Sequence, residues 1–236
     1  RNGHRPDANR ISPASDIVGI MQGSQNPAID QASMRALTQM ADAYKALKSF
    51  RCQLMTRATL ADKEEVSTGT VVIQRPGSIA IKTESDRAVT IAVNHGTERM
   101  TRTAGATRRM RGEPTAKGLK AGLDASRAFV TPIFPLLMST PDAAGKLIPG
   151  TLLRAGQGTP TSLDGVRCDV YAFEARSPYG VARFVLTIGQ RDRLLRKLDL
   201  STPGPGGQLS LSETYSKLRI DEPIAAAEFI AALQGK

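Results

Sequence analysis

The sequence predicts an α+β fold built on an antiparallel sheet of about nine or ten strands. Apolar and polar residues alternate over many short segments, which is typical of strands with one buried face. Most links between these segments are about two to five residues long, and helical spacing is confined to the start, the middle and the end of the chain. Parallel pairs need crossovers of about a dozen residues or more, so layered βαβ units are excluded.

A single domain is expected over residues 29–236, after an extended tail of residues 1–28. The chain has 236 residues, of which 40% are hydrophobic, and this is enough to fill one large core. The tail is rich in Asn, Pro, Ser, Gly and charged residues and has no sustained periodicity. The chain starts at Arg1 and has no apolar run long enough for a signal peptide or a membrane span, so we expect that a signal segment has been removed.

The first helix is predicted from Asp30, a residue type that favours the N-cap position, to about Ser49. Its apolar residues recur at three- and four-residue steps, at Met34, Leu37, Ala41, Tyr44 and Leu47. This spacing places them on one helix face, which a sheet must cover.

The first group of strands follows directly. Alternation predicts strands at residues 50–54, 66–74, 79–82, 89–93 and 98–103. The second of these ends at Arg75-Pro76-Gly77, because proline cannot donate to a strand ladder. Asn94-His95-Gly96 predicts a further turn.

The middle of the chain breaks this rhythm. Residues 108–126 are basic and contain glycine, and the apolar residues 129–138 and 147–148 are interrupted or flanked by Pro132, Pro135 and Pro141. We expect short helices here rather than strands, with Pro135 in the first turn of one of them.

A second meander is predicted from Leu152. Its turns are expected at Asp164-Gly165 and at residues 177–180, and a loose loop at residues 203–207 precedes the last strand. That strand runs to about Ile220, and a closing helix covers residues 224–233.

Three segments resemble the bacterial lipoprotein-carrier superfamily of LolA and LolB, and the resemblance covers about residues 30–236. They are the helix of residues 40–47 leading into Phe50, the strands of residues 71–81 around Arg75-Pro76-Gly77, and the strand pair of residues 185–200. The segment Gly165-Val166-Arg167-Cys168 also resembles predicted periplasmic proteins of unknown function that group with these carriers.

The resemblance implies a curved half-barrel sheet with helices on its concave side, where acyl chains can be held. The candidate ligand-binding residues are Ile79, Ile81, Val89, Ile91, Val93, Ile133, Phe134, Leu137, Met138, Phe184, Leu186 and Ile188. This chain departs from the carriers because it has no Trp and only 4% aromatic residues, with Ile79 and Ile81 where carriers usually have an aromatic residue. An aliphatic face can accept acyl chains, at about 0.8 kcal/mol for each buried methylene, or it can be a filled core.

The apolar segment of residues 133–138 is a candidate lid. Its short helix has apolar residues nearly all round and therefore cannot face water on either side. It either opens for a lipid or plugs the sheet as permanent core.

Basic residues outnumber acidic ones by 32 to 22, which gives a formal charge of +10. Five of them form a candidate patch for an anionic surface, at Arg99, Arg102, Arg108, Arg109 and Arg111. The patch fits an anionic membrane or lipid headgroup, or it is a solvated rim. Nucleic acid is not expected as a partner, because no aromatic residues are interleaved to stack on bases.

The two cysteines, Cys52 and Cys168, form neither a CxxC motif nor a zinc-binding pattern. They either form one disulfide, closing a loop of 116 residues (168 − 52), or are two buried thiols. An envelope location favours the disulfide.

Catalysis and cofactors are not expected. The only histidines are His4, in the tail, and His95, in a turn, and no nucleophile elbow, metal-ligand spacing or phosphate loop occurs. The sequence therefore favours a non-catalytic periplasmic or envelope carrier of a hydrophobic ligand or lipidated protein. The alternative is a protein-interaction or sensor module with a closed core on the same scaffold.

Overall fold

A computed structural model describes residues 29–61, 63–75, 77–86, 88–103, 106–111, 133–137 and 147–234. The predicted tail, residues 1–28, lies outside the described residues. So do Met138 and most of the basic middle segment.

The described residues form three α-helices and twelve strands. The helices are α1 (Gln31–Ala46), α2 (Phe134–Leu137) and α3 (Ala226–Leu233). The first six strands are β1 (Ser49–Leu60), β2 (Lys63–Gln74), β3 (Ser78–Ser85), β4 (Val89–His95), β5 (Glu98–Thr103) and β6 (Ala106–Arg111). The other six are β7 (Thr151–Gln157), β8 (Thr161–Leu163), β9 (Val166–Ser177), β10 (Gly180–Gly189), β11 (Leu195–Gly204) and β12 (Gly207–Ile220).

All strands belong to one antiparallel sheet in the order β6-β5-β4-β3-β2-β1-β12-β11-β10-β9-β7, with β8 paired to β9. The predicted α+β class and curved antiparallel half-barrel are confirmed, with twelve strands among the described residues where about nine or ten were expected. Pairing of β1 with β12 joins the two meanders, so the first and last strands of the described residues lie side by side at the centre of the sheet.

Two local expectations were wrong. Residues 106–111 form strand β6 although the basic segment was expected to lack strands; all six residues are exposed, so no apolar alternation marks this edge strand. Residues 203–207 form a tight hairpin rather than a loose loop, with Gly204 paired to Gly207 and Gly207 at φ +115°. A positive φ is readily adopted by glycine.

The main core lies between α1 and one face of the sheet, which we call the inner face. Asp30 caps α1 as expected, accepting hydrogen bonds from the backbone N–H of Ala32 and of Ser33, both at 3.0 Å. The pKa of the Asp30 carboxyl is lowered, and the largest cause is the hydrogen bond that it accepts from the Ser33 hydroxyl. Beyond the cap, Leu37, Met40 and Tyr44 of α1 pack on the sheet, and the rings of Tyr44 and Phe50 lie 5.7 Å apart. Met34, which was expected on the same apolar face, is instead 38% exposed.

Helix α3 packs on the opposite, outer face, although the helices were expected on the concave side. Its Leu233 clusters with Ile91, Val93 and Met100. The pairing register of β3 and β4 explains this position. Ala92 pairs with the inner-facing Ile81, so Ile91 and Val93, which flank Ala92 on β4, point outward. Strand β4 is therefore buried on both faces.

The expected disulfide is absent, and Cys52 and Cys168 are buried free thiols. Cys52 lies on β1 and Cys168 on β9, with β12, β11 and β10 between them. Four strand spacings amount to roughly 19 Å along the sheet, whereas a disulfide needs Cα atoms within about 7 Å. Burial raises the pKa of Cys52 to about 12 and also raises that of Cys168.

No helix among the described residues is both long and apolar enough to cross a membrane.

Candidate ligand-binding site

Cross-strand pairing builds an apolar row across the inner face. Phe184 on β10 pairs with Phe173 on β9 and with Leu200 on β11, and Leu200 pairs with Leu211 on β12. The row ends at Ala58 on β1, which pairs with Leu211. One step toward the hairpin ends of β9 to β12, Leu60 and Leu209 form a second apolar pair.

This end of the inner face contains an apolar pocket of about 390 Å³. Its volume lies in the range of about 300–1,000 Å³ that is usual for small-molecule sites. Among the described residues, no charged side chain lines it. The lining residues are Leu147, Pro149, Ser177, Tyr179, Ala182, Phe184, Leu200, Thr202, Pro203, Gly204, Pro205 and Leu209.

The inner face under α1 is instead filled by side chains. Tyr44, Phe50, Phe173, Leu186 and Tyr215 are each at most 1% exposed there. The apolar surface of the inner face is thus divided into a packed half under α1 and a pocket at the hairpin ends.

Only one of the predicted ligand-binding residues, Phe184, lines this pocket. Ile79, Ile81, Leu186 and Ile188 belong to the packed core, as do Ile133 and Leu137. Phe134 begins α2, and Met138 lies outside the described residues.

Val89, Ile91 and Val93 lie on the outer face and do not share a face with Ile79 and Ile81. Alternation along β4 groups these three residues on one face, as expected, but it does not say which face. Only the pairing with β3 decides that.

Arg75, from the Arg-Pro-Gly segment, connects the ends of two helices. Its guanidinium donates hydrogen bonds to the carbonyl oxygen of Tyr44, at 2.9 Å, and to that of Leu137, at 3.2 Å. Both carbonyls belong to the last turn of a helix, where acceptors lack the usual partner four residues ahead; the Tyr44 carbonyl also accepts a hydrogen bond from the Leu47 backbone N–H at 3.4 Å. Arg75 therefore ties α2 to α1 over the inner face, and its partial burial lowers its pKa.

The five arginines of the predicted patch are divided between the two faces. The β5–β6 register places Arg99 and Arg108 on the inner face and Arg102, Arg109 and Arg111 on the outer face. Arg109 donates to the carbonyl oxygen of Leu233 at 3.0 Å, which ties the end of α3 to the edge strand. Binding of an anionic surface by these residues stays a prediction.

Sequence reasoning missed a buried carboxylate in the inner face. Glu213 is 1% exposed and accepts a hydrogen bond from the Tyr215 hydroxyl. The sequence does indicate this position through alternation. Leu209, Leu211 and Tyr215 follow one another on β12 at steps of two or four residues and point inward, and Glu213 falls in the same series.

His95 ends β4 rather than lying in a turn. Its Nδ1 is 2.7 Å from the Ser78 hydroxyl, and its ring stacks on Phe229 at 5.2 Å. Within the described residues no carboxylate bonds to this ring, and no cluster of His, Cys, Asp and Glu is arranged to hold a metal ion.

No protein-family model and no curated protein matches the chain. Solved structures do. The chain is similar to lipoprotein LppX of Mycobacterium tuberculosis, with 15% identity over 83% of this chain and 98% of that chain and a TM-score of 0.48.

Two further solved structures are similar over most of both chains. LprF of Mycobacterium bovis shares 12% identity over 84% of this chain and 97% of its own, with a TM-score of 0.49. A LolA superfamily protein of Nitrosomonas europaea shares 10% identity over 84% of this chain and 96% of its own, with a TM-score of 0.36. The last of these structures bears the name of the superfamily that the sequence resembles. At these identities the likeness concerns the fold, so the proposals below rest on the residues of this chain.

Proposed function

We propose that the protein is a non-catalytic carrier or chaperone of the bacterial envelope that holds a hydrophobic ligand, an acyl chain or the lipid of a lipidated protein, on its inner face. The observation that supports this most directly is the apolar pocket of about 390 Å³ at the hairpin ends of β9 to β12. Its described lining residues carry no charge to stabilise an ionic ligand, whereas their apolar side chains can shield an apolar ligand from water.

The size of the pocket suits part of an acyl chain. Burying each methylene contributes about 0.8 kcal/mol, so eight methylenes contribute about 6 kcal/mol before the cost of immobilising the ligand is subtracted. Leu60, which is 45% exposed, and Tyr179, which is 61% exposed, extend the apolar surface past the pocket rim. A longer chain can follow this surface outward.

Helix α2 is the proposed lid. Its Leu137 is buried against the core and its last carbonyl is held by Arg75. Release of these contacts would uncover further apolar surface on the inner face. Lid opening therefore requires breaking the Arg75 bonds, and the ligand would have to supply that energy through the surface it buries.

The location and the partners follow from the same proposal. A carrier of this kind acts in the periplasm or outside the cell, and its partner is the lipidated molecule that it shields. The outward-facing Arg102 and Arg111 are suited to contact an anionic membrane during transfer.

Displacement of a fluorescent fatty-acid probe by unlabelled fatty acid tests the pocket. Leu209→Glu places a charge in the pocket lining and is expected to weaken probe binding at least tenfold. Ile220→Glu, the same kind of change at the other end of β12, is the matched control and is expected to leave binding unchanged. Equal binding by both variants, with both folded, would refute the pocket as the ligand site.

The second candidate function is a protein-interaction or sensor module with a closed core. The packed half of the inner face under α1 favours it, because Tyr44, Phe50 and Tyr215 leave no room for a ligand there. A protein that binds no fatty-acid probe with either wild-type or variant sequence would support this module over the carrier.

A further inference from the structure

Helix α3 leaves a second cavity where it crosses the outer face of the sheet. The cavity has a volume of about 210 Å³ and lies between α3 and strands β1 to β4. The apolar residues that line it are Val72, Ala80, Ile81, Ile91, Phe229 and Ala232. Ile91 and Phe229 are 4% and 1% exposed, so the floor of this cavity consists of buried apolar side chains.

The rim of this cavity is polar and carries cations. Arg51 reaches across it to Glu228 of α3, with Nη2 2.7 Å from Oε1. Lys82, on β3, also lines the cavity and is exposed, and among the described residues it has no acidic partner. The apolar floor and an available ammonium group therefore meet in one place.

A polar groove of about 610 Å³ continues from this rim along the outer face. It shares Thr70 and Lys82 with the cavity and adds the polar side chains of Gln53, Thr68, Thr214 and Ser216. Glu84 and Asp164 also line the groove. Its carboxylates, hydroxyls and amides favour ligand groups that form hydrogen bonds, and the cation, Lys82, lies at the cavity end. The whole site has an apolar end under α3 and a polar end on the open sheet.

We propose that this outer-face site binds a small amphiphile, an unbranched aliphatic carboxylate of about eight carbons, with its chain under α3 and its carboxylate at Lys82. The length follows from volume, since a 150 Å³ apolar cavity holds the six carbons of benzene and about 210 Å³ scales to about eight carbons. The site is separate from the inner pocket, because the strands present different side chains to each face.

Titration with octanoate, followed by amide chemical shifts of the whole chain, tests this proposal. The shifts are expected to move around Ile91 and Ala232. Lys82→Gln is expected to weaken octanoate binding about two- to fivefold, the range for an exposed ion pair. Lys63→Gln, an exposed lysine at the start of β2 that does not line the cavity, is expected to bind as the wild type does.

Filling the cavity gives a second and larger effect. Ala232→Leu, on the helix side, and Ala80→Val, on the sheet side, each reduce the volume available to the chain and are expected to weaken binding more than tenfold. Two variants on different elements are used because either one alone could displace α3 instead of filling the cavity.

Comparison of two ligands separates the contribution of the ligand's charge to binding from that of its aliphatic chain. Octylamine has the same chain and the opposite charge, and it is expected to bind more weakly than octanoate. Octylamine binding as tightly as octanoate, unchanged binding in both filled variants, or shifts confined to Phe184 and Leu209 would each overturn the proposal. The last of these outcomes would leave the inner-face carrier intact, whereas failure of the inner pocket leaves this outer site unaffected.

Discussion

Gly69 shows how a single residue sets the spacing of the sheet at its centre. A Cβ atom at this position on β2 would lie 2.1 Å from the carbonyl oxygen of Lys82 on β3. No real Cβ contact is so short, and the neighbour is backbone, which cannot move without disturbing the β2–β3 pairing. Glycine is therefore required here by close approach.

Gly69→Ala is expected to lower the free energy of unfolding by about 1–3 kcal/mol, the usual cost of overpacking. Gly77→Ala is the matched control, since a Cβ there meets nothing within 4 Å. Urea unfolding of both variants makes the comparison, and an equal loss in the two would show that the contact with Lys82 relaxes freely.

Cys52 makes stability depend on pH in the alkaline range. Burial raises its pKa to about 12, against an ordinary value near 9.0, so the unfolded chain loses this proton first as the pH rises. The free energy of unfolding is therefore expected to fall between pH 9 and 12, by about 1.4 kcal/mol per pH unit from this thiol. Below pH 9 the thiol is protonated in both states and contributes no slope.

Cys52→Ala tests this expectation in urea titrations at several pH values. It is expected to remove that part of the slope while adding a pH-independent loss from the cavity it leaves. An unchanged alkaline slope would mean that Cys52 is not the group responsible.

At the scale of elements, Arg75 decides where the short helix α2 lies. Four residues cannot form a stable helix by themselves, so α2 depends on its contacts with Arg75 and with the core. The Arg75-Pro76-Gly77 segment was recognisable in the sequence as a strand end. Its second role, holding the carbonyls of Tyr44 and Leu137, depends on chain segments that only the fold brings together.

Arg75→Gln is expected to raise the amide hydrogen-exchange rate of α2 selectively, because it removes charged donors worth about 1–2 kcal/mol in total at this partly exposed site. Arg57→Gln is the control, since Arg57 pairs with Glu64 on the exposed surface. Unchanged exchange at Leu137 in the Arg75 variant would contradict the proposed latch.

At the scale of the whole molecule, alternation and short turns in the sequence were enough to predict the antiparallel sheet and its order of strands along the chain. They were not enough to assign faces. Ile79 and Ile91 are both apolar residues of alternating segments, yet Ile79 faces α1 and Ile91 faces α3. Alternation shows that one face of a strand is buried, but it does not show which helix covers that face.

The candidate site was predicted only in part for the same reason. Phe184 was identified through alternation, whereas Tyr179, Pro203 and Leu209 were not, because they come from hairpin ends that meet only when β9 to β12 pair. Strand β6 escaped prediction because an exposed edge has no buried face to leave a pattern. The position of a pocket depends on which side chains fail to fill a space, and local sequence does not encode that.

Native mass spectrometry of the intact protein purified from bacteria tests most directly whether the inner pocket holds a hydrophobic ligand. If the protein is a carrier, its native mass is expected to include a bound acyl chain that is released on unfolding. This added mass is expected to be lost in Leu209→Glu and kept in Ile220→Glu. A homogeneous apo mass for all three proteins, together with no uptake of added fatty acid, would contradict this expectation.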